Sequence, residues 1–207
     1  MAEPLLDWFT GRVPAGGRVL VAGSGAGREC FALAARGWQV TGVDFSEPMV
    51  EAAKQEALRR GLGVDFELAD LRSYDRPGDT LAAVYFTYEV YSFLPAREER
   101  LALLAKMARW LAPGGVIFLS ARWFEGFYAP AILTLQRAVR LSDRQARWGQ
   151  SHTRWLALDG AVHRSFIHIF TKLAVEREAR QAGLEPTGWL GSHCLLVPSL
   201  PDFPLGS

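Results

Sequence analysis

The chain has 207 residues, of which 49% are hydrophobic, and its 23 Lys and Arg balance 22 Asp and Glu to a net charge of +1. This length fits a single domain, residues 1–207, and the balanced charge gives no reason to expect a nucleic-acid partner. Because no apolar run could span a bilayer and no secretion signal begins the chain, we expect a cytoplasmic protein with a small-molecule substrate and no integral membrane association.

The first predicted strand, residues 19–21, leads into a glycine-rich loop. The glycines of this loop alternate with other residues: Gly23, Gly25 and Gly27. Glycine lets the backbone approach a ligand where a Cβ would collide, and a helix predicted at residues 28–36 places its N-terminus at that ligand. A second predicted strand, residues 39–43, ends at Asp44, whose carboxylate can accept both hydroxyl hydrogens of a ribose. Together these elements predict a nucleotide pocket.

The remaining elements alternate between strand and helix, which predicts a parallel sheet covered on both faces. Further strands are predicted at residues 64–68, 81–87, 116–119, 162–170 and 189–197. A helix capped by Ser46 extends to about Arg60 and another covers residues 172–182. A helix before residue 113 buries one stripe made of Leu101, Leu104, Ala108 and Leu111. We expect residues 1–14 to form an N-terminal cap helix and residues 122–160 to form an inserted, helical cover over the acceptor site.

The loop spacing distinguishes two nucleotide classes. A dinucleotide fingerprint, G-x-G-x-x-G, requires a third glycine where this chain has Arg28. The observed spacing, G-x-G-x-G, and the sequence VTGVDFSEPMVEAAKQEA at residues 40–57 resemble the first two motifs of the class I S-adenosylmethionine-dependent methyltransferases. The resemblance covers residues 15–120. It implies a Rossmann-like α/β fold whose seven-stranded, mostly parallel, doubly wound sheet has the order 3-2-1-4-5-7-6 with the last strand antiparallel, and S-adenosylmethionine as the cofactor.

The same resemblance implies which residues contact the cofactor. The glycine loop would lie against the methionine part, Asp44 would hold the ribose, and Phe45 would cover one face of the adenine. Asp70 would accept from the adenine amino group while the amide of Leu71 meets a ring nitrogen. The full set implied is Gly23, Gly25, Gly27, Asp44, Phe45, Met49, Asp70, Leu71, Phe86 and Thr87.

One position departs from the family pattern. Many members carry an acidic residue two places before the first glycine, where this chain has Val21. A polar contact that organises the loop or the methionine amine is therefore absent or replaced. Glu29 or Arg28, at the start of the next helix, could substitute.

The sequence does not identify one catalytic residue, because displacement at a sulfonium needs mainly an in-line approach. Tyr88 and Tyr91 follow the fourth strand, where their rings could stabilise the sulfonium by about 0.5 to 2 kcal/mol or could pack under the next helix. Glu89 could act as a base or form a salt bridge. Other candidate bases are His152, His163, His168 and Asp159.

Three further features of the sequence bear on function: the N-terminal segment, the insert and the two cysteines. Leu5, Trp8 and Phe9 could fold over the cofactor or anchor the terminus by burial. Within the insert, the aromatic residues at 123–128 could form a lid or belong to the core, and the basic stripe at 137–147 could be a solvated face or bind an acidic acceptor or an anionic membrane surface. The only two cysteines have no metal-binding spacing, so we expect no metal site: Cys30 and Cys194.

The sequence thus predicts an enzyme that transfers a methyl group from S-adenosylmethionine to a small-molecule acceptor. Two alternatives stay open at this point: an NAD(P)-dependent oxidoreductase and a catalytically inactive S-adenosylmethionine-binding protein. The acceptor, the methylated atom and the oligomeric state are not predicted.

Overall fold

The computed structural model describes residues 3–78, 80–123, 150–156 and 162–199. The helices in these ranges are α1 (Glu3–Thr10), α2 (Arg28–Ala34), α3 (Glu47–Arg60), α4 (Arg97–Trp110) and α5 (Lys172–Gln181), with a 3-10 helix at Val90–Phe93. The strands are β1 (Arg18–Ala22), β2 (Gln39–Asp44), β3 (Val64–Leu68), β4 (Leu81–Phe86), β5 (Leu111–Ser120), β6 (Gln150–Leu156), β7 (Val162–His168), β8 (Leu184–Leu190) and β9 (His193–Pro198).

Seven strands form one mixed sheet in the order β3-β2-β1-β4-β5-β9-β8. The strands from β3 to β5 pair in parallel, whereas β9 is antiparallel to both β5 and β8. When only the strands of this sheet are counted, the order is the predicted 3-2-1-4-5-7-6 with its last strand antiparallel, and the prediction of the fold is confirmed. The carboxyl ends of β1 to β4 therefore meet at one edge, where open α/β sheets bind their ligands.

Each face of the sheet carries its own apolar core. Central strands are buried on both faces, so β1 and β4 are almost continuously apolar rather than alternating. Val21, Tyr85 and Phe118 belong to the core that also contains buried residues of α1, α2 and α3. The opposite core packs Leu20 and Phe86 against α4 and α5.

Helix α1 is held by aromatic packing. Phe9 is fully buried, and its ring centroid lies 5.1 Å from that of Trp38 and 4.7 Å from that of Phe118. Trp8 meets Phe118 edge-to-face at 5.1 Å. Of the two interpretations of this segment, the contacts favour anchoring by burial.

Two predictions about the second half of the chain are wrong. Residues 150–156 were expected within a helical insert, but they form β6, which pairs with β7 in a separate two-stranded antiparallel sheet. Consequently β7, predicted as a strand of the main sheet, is not part of it. Both segments mix polar and apolar residues, as is typical of an antiparallel ribbon rather than of a buried parallel strand. The predicted basic helix and most of the aromatic cluster, residues 124–149, lie outside the described residues.

Two smaller corrections concern a strand and a helix. Residues 189–197 were expected to be one strand, but a turn that contains Gly191, at φ 56°, divides them between β8 and β9. The stripe predicted for α4 is displaced by one residue, since Leu101 is partly exposed and the buried side chains are Arg100, Leu103, Leu104, Met107 and Trp110. Arg100 can occupy this stripe because it has a buried acidic partner on α5, Glu178.

The described parts of the chain contain no helix that combines the length and the apolar character needed to traverse a membrane. They also contain no group of three or more His, Cys, Asp or Glu side chains arranged to hold a metal ion. Cys30 and Cys194 are buried free thiols.

Candidate functional site

The glycine loop leaves β1 and turns back toward β2. The amide of Gly23 donates to the carbonyl of Val43 at 2.9 Å, so the loop is fixed to the end of β2. All three glycines have positive φ angles of 73°, 51° and 89°, a region that L side chains rarely adopt. A Cβ at Gly25 would meet no heavy atom within 4 Å, whereas one at Gly27 would lie 2.7 Å from Phe31 Cζ. Gly25 therefore faces open space, and Gly27 is required by packing.

A cavity of about 540 Å³ opens beside this loop at the carboxyl edge of the sheet. Its walls come from the ends of β1, β2 and β3 and from the 3-10 helix and its following residues: Gly23, Asp44, Phe45, Ala69, Asp70, Leu71, Arg72, Val90, Phe93, Leu94 and Pro95. Five of the predicted cofactor residues are thus brought together in one cavity. Pockets for small molecules and cofactors typically have volumes of about 300 to 1,000 Å³.

Asp44 is the best-organised polar group of the cavity. Its Oδ2 accepts from the amide of Gly25 at 2.8 Å, and its Oδ1 accepts from the amide of Ser46 at 2.9 Å. These two contacts fix the carboxylate and leave lone pairs on both oxygens for further donors. Ser46 is the N-cap residue of α3, as predicted, but its hydroxyl forms no cap hydrogen bond and its amide donates to Asp44.

Phe45 and Asp70 both line the cavity, but they differ in exposure and in hydrogen bonding. Phe45 is 81% exposed, which is unusual for so large an apolar side chain and leaves one ring face available to a flat ligand. Asp70 accepts from the Arg72 guanidinium through both oxygens, from Nε at 3.0 Å and from Nη2 at 2.5 Å. This hydrogen bonding lowers the pKa of Asp70. Leu71, between Asp70 and Arg72 in sequence, is buried and also lines the cavity.

The segment after β4 is strained. Tyr88 and Glu89 are consecutive non-glycine residues with positive φ, 38° and 60°. Ser120 Oγ accepts from the amide of Glu89 at 3.1 Å, and Glu89 Oε2 pairs with Arg122 Nε at 2.7 Å. Left-handed backbone at such residues costs roughly 1 to 3 kcal/mol each and is concentrated at functional sites. Of the two interpretations of Glu89, the structure favours the salt bridge.

Two predicted residues of this segment face the core. Phe86 is fully buried, and so is Tyr91, whose hydroxyl donates to Glu178 Oε2 at 2.6 Å. Burial and the Glu178 charge raise the pKa of Tyr91 well above its ordinary value. The phenol of Tyr91 belongs to a network that joins α4 to α5, so of its two interpretations the structure favours packing under the next helix. Thr87 is also buried, and its hydroxyl donates to the carbonyl of Gly23.

Met49 and His152 are the other two predicted site residues. Met49 is about half exposed in the first turn of α3 and is not among the residues that line the cavity. His152 is on β6, opposite Phe166 in the backbone register, and its side chain is outside the described residues.

An ion pair stands at the point where the glycine loop becomes α2. Arg28 Nε donates to Glu29 Oε1 at 2.8 Å, and this hydrogen bonding raises the pKa of Arg28. The guanidinium carbon lies 4.6 Å from the centroid of the Tyr88 ring. Glu29 is only 4% exposed, whereas the Arg28 side chain is 61% exposed.

A second polar pair on the same face of the sheet was missed from the sequence. Tyr85 Oη and His193 Nε2 are 3.0 Å apart, and the two rings stack with centroids 5.4 Å apart. Burial lowers the pKa of His193 to about 4 and raises that of Tyr85. His193 pairs with Ser120 in the sheet register, so it stands next to the segment that follows β4. The signal that could have revealed it is Gly191-Ser192, a turn dipeptide that makes His193 the first residue of a strand.

The cavity fits S-adenosylmethionine. A fixed carboxylate suits a ribose, an exposed aromatic ring suits a purine, and the open space at Gly25 suits a ligand that approaches the backbone closely. The sulfonium and the amino-acid end would then lie toward α2 and the turn after β4.

Comparison with known proteins adds independent findings. Residues 19–115 match the family described as methyltransferase domain. The chain is 32% identical to the cypemycin N-terminal methyltransferase of a Streptomyces species, over 91% of this chain and 81% of that protein. It is 32% identical to a ubiquinone biosynthesis O-methyltransferase of Azoarcus, over 56% of this chain and 48% of that protein. Its fold is similar to the crystal structure of an S-adenosylmethionine-dependent methyltransferase from Methanosarcina mazei, with a TM-score of 0.74 at 18% identity over 96% of this chain and 98% of the other.

Proposed function

This chain belongs to the S-adenosylmethionine-dependent methyltransferases, and from that premise we propose that the acceptor of its methyl group is an amine of a small molecule or peptide. Membership of this family leaves no role for the nicotinamide-dependent alternative. When bound, S-adenosylmethionine supplies a methyl group on a positively charged sulfur.

The proposed cofactor contacts follow the cavity walls. Asp44 accepts the two ribose hydroxyl hydrogens while it holds the loop through Gly25. Phe45 covers the adenine, and the amide of Leu71 with the carboxylate of Asp70 meets its polar edge. Because Asp70 already pairs with Arg72, the guanidinium fixes the carboxylate and keeps it ionised, which suits it to accept a hydrogen bond.

The Tyr85–His193 pair is the observation that supports an amine as the acceptor. With a pKa of about 4, His193 is neutral at pH 7, and the raised pKa of Tyr85 keeps the phenol protonated. In the part of the site that the structure describes, this pair offers hydrogen bonds without a strong base, and Glu89, the first carboxylate after β4, is paired with Arg122. An amine that has released its ammonium proton to solvent needs no base in order to attack, because it loses its second proton after the methyl group has been transferred. An alcohol would need one.

The relatives include methyltransferases that by name act on nitrogen and others that act on oxygen. The N-terminal methyltransferase aligns over 91% of this chain, and ubiquinone biosynthesis O-methyltransferases align over 56% and 79% of it. The choice of an amine therefore depends on the site and not on the relatives. A cover over the acceptor site by residues 122–160, the absence of a nucleic-acid partner and a cytoplasmic location stay predictions.

The experiment is a competition between acceptor classes with S-adenosylmethionine whose methyl group is deuterated. Peptides with free N-termini and small amines are paired with their N-acetylated forms and with phenols of similar size, and mass spectrometry locates the label. We expect label on nitrogen, none on acetylated controls, and none with the Asp44→Ala variant. Label on a phenolic oxygen, with none on any amine, would overturn the choice of acceptor but not the family.

A further inference from the structure

Strand β1 lacks the acidic residue that the family pattern places before the glycine loop. The position is occupied by Val21, which is fully buried in the apolar core shared by α1, α2 and α3. No carboxylate can therefore reach the cofactor from this strand position. The amino-acid end of the cofactor nevertheless carries an ammonium group, which binds poorly where no acceptor faces it.

Helix α2 brings a carboxylate to the same face of the sheet. Glu29 lies in the first turn of α2, directly after the glycine loop, and α2 packs into the core in which Val21 is buried. Burial raises the pKa of Tyr85, the register partner of Val21 in the neighbouring strand, and the charge of Glu29 adds to that rise. Glu29 is therefore an acid on the side of the sheet where β1 has none.

Glu29 is also unusually buried for an acid. Carboxylates are almost never as little as 4% exposed unless they have ionic partners. Here the guanidinium of Arg28 binds the carboxylate from the solvent side, and because the Arg28 side chain is 61% exposed it can leave without crossing the core. The turn after β4 places the Tyr88 ring against that guanidinium, with its centroid 4.6 Å from the guanidinium carbon.

We propose that Glu29 and Arg28 bind the amino-acid end of S-adenosylmethionine, an inference that rests on the cofactor assignment made above. An α-amino acid carries an ammonium and a carboxylate on one carbon, and two adjacent side chains of opposite charge complement it. On binding, Glu29 accepts from the ammonium and Arg28 donates to the carboxylate, so the contact between the two side chains is exchanged for two contacts with the ligand. Glu29 thereby replaces the acid that β1 lacks.

Two ligands that differ only in the amino-acid end test this proposal. S-adenosylhomocysteine has that end, and 5′-methylthioadenosine lacks it but keeps the adenosine and the sulfur. Calorimetric titration gives the affinity of each ligand for the wild type and for Glu29→Gln, Arg28→Gln and a matched control, Glu47→Gln. Glu47 is an exposed acid in the first turn of α3.

We expect Glu29→Gln to weaken S-adenosylhomocysteine binding by about tenfold to a hundredfold, as for a hydrogen bond to a charged group, and to change methylthioadenosine binding less than twofold. Arg28→Gln should show the same selectivity with a smaller loss, because its side chain is more exposed. Glu47→Gln should change neither affinity.

The proposal is overturned if Glu29→Gln weakens both ligands equally, which would indicate a structural role, or weakens neither. Should Glu29→Gln fail to fold, the exposed Arg28→Gln variant decides in the same way. If the wild-type protein binds neither ligand at millimolar concentration, the cofactor assignment itself fails, and that outcome is separate from the other two.

Discussion

Replacing Asp44 by alanine should raise the dissociation constant of the cofactor by a factor of about 100 or more while the protein remains folded. The carboxylate accepts from the amides of Gly25 and Ser46 at 2.8 and 2.9 Å, and its remaining lone pairs are those assigned to the ribose. Hydrogen bonds to a charged group contribute about 1.5 to 3 kcal/mol each, so loss of two ribose contacts costs at least about 3 kcal/mol. That loss corresponds to a factor of about 100 or more in the dissociation constant.

The same substitution removes the two backbone contacts and should also lower stability. Each amide loses a hydrogen bond to a charged carboxylate, which contributes about 1.5 to 3 kcal/mol, and in a domain of this size 1 kcal/mol shifts the melting temperature by about 2 to 4 °C. We therefore expect a fall of at least about 6 °C without ligand, measured by circular dichroism. Affinity should be titrated well below that transition, so that binding and unfolding stay separate.

Two variants complete the test. Asp44→Asn keeps one carbonyl oxygen and should lose about tenfold in affinity for S-adenosylhomocysteine. Asp65→Ala removes an exposed acid from the neighbouring strand β3 and should change nothing. If Asp44→Ala binds S-adenosylhomocysteine within threefold of the wild type, Asp44 does not hold the ribose and the assignment of the cavity is refuted.

Three further outcomes are expected. Glu178→Gln leaves the Arg100 charge buried with a weaker partner, so it should lower the free energy of unfolding, measured by urea titration, by about 3 to 5 kcal/mol. The double variant Arg100→Met with Glu178→Leu removes both charges and should recover most of that loss. His193 has a folded pKa of about 4, below its unfolded value of about 6.5, so its contribution is fully present above pH 6.5 and is lost as the pH falls toward 4. His193→Gln should reduce the acid-induced loss of unfolding free energy over that range by about 3 kcal/mol at most, and an unchanged pH profile would contradict the burial of the ring. Burial raises the pKa of Cys30 and raises that of Cys194 to about 12, so iodoacetamide at pH 8 should alkylate neither thiol until urea is added, as peptide mass mapping would show.

The parallel part of the sheet was predictable because local patterns encode it. Continuous apolar runs such as that of β4 form central strands, and Asp44 is recognisable because it ends the first strand that follows the glycine loop and its helix. The β8–β9 hairpin was not recognised because residues 189–197 contain enough apolar side chains to resemble one strand. Only the conformational freedom of Gly191 reveals the turn.

The contacts that decide individual roles were beyond prediction for a different reason. Tyr91 meets Glu178 across 87 positions, and Tyr85 meets His193 across 108. No periodicity or motif within either segment encodes such a partner, since the pairing exists only once the sheet has closed. For Tyr91 this contact favours the interpretation as a core residue. For His193 it reveals a partner that the one local signal, the Gly191-Ser192 turn, does not specify.

The contacts of Gly23 have a consequence for the order of events during turnover. Its carbonyl accepts from the Thr87 hydroxyl, and Val90 lies so close to its Cα that no side chain could replace the hydrogen there. The donor loop and the chain that leads to Tyr88 therefore move as one body. Where donor binding orders this body, donor and acceptor must strengthen each other's binding by the same factor, because linkage between two sites is reciprocal. We accordingly expect the acceptor affinity measured without the donor to be the weaker value.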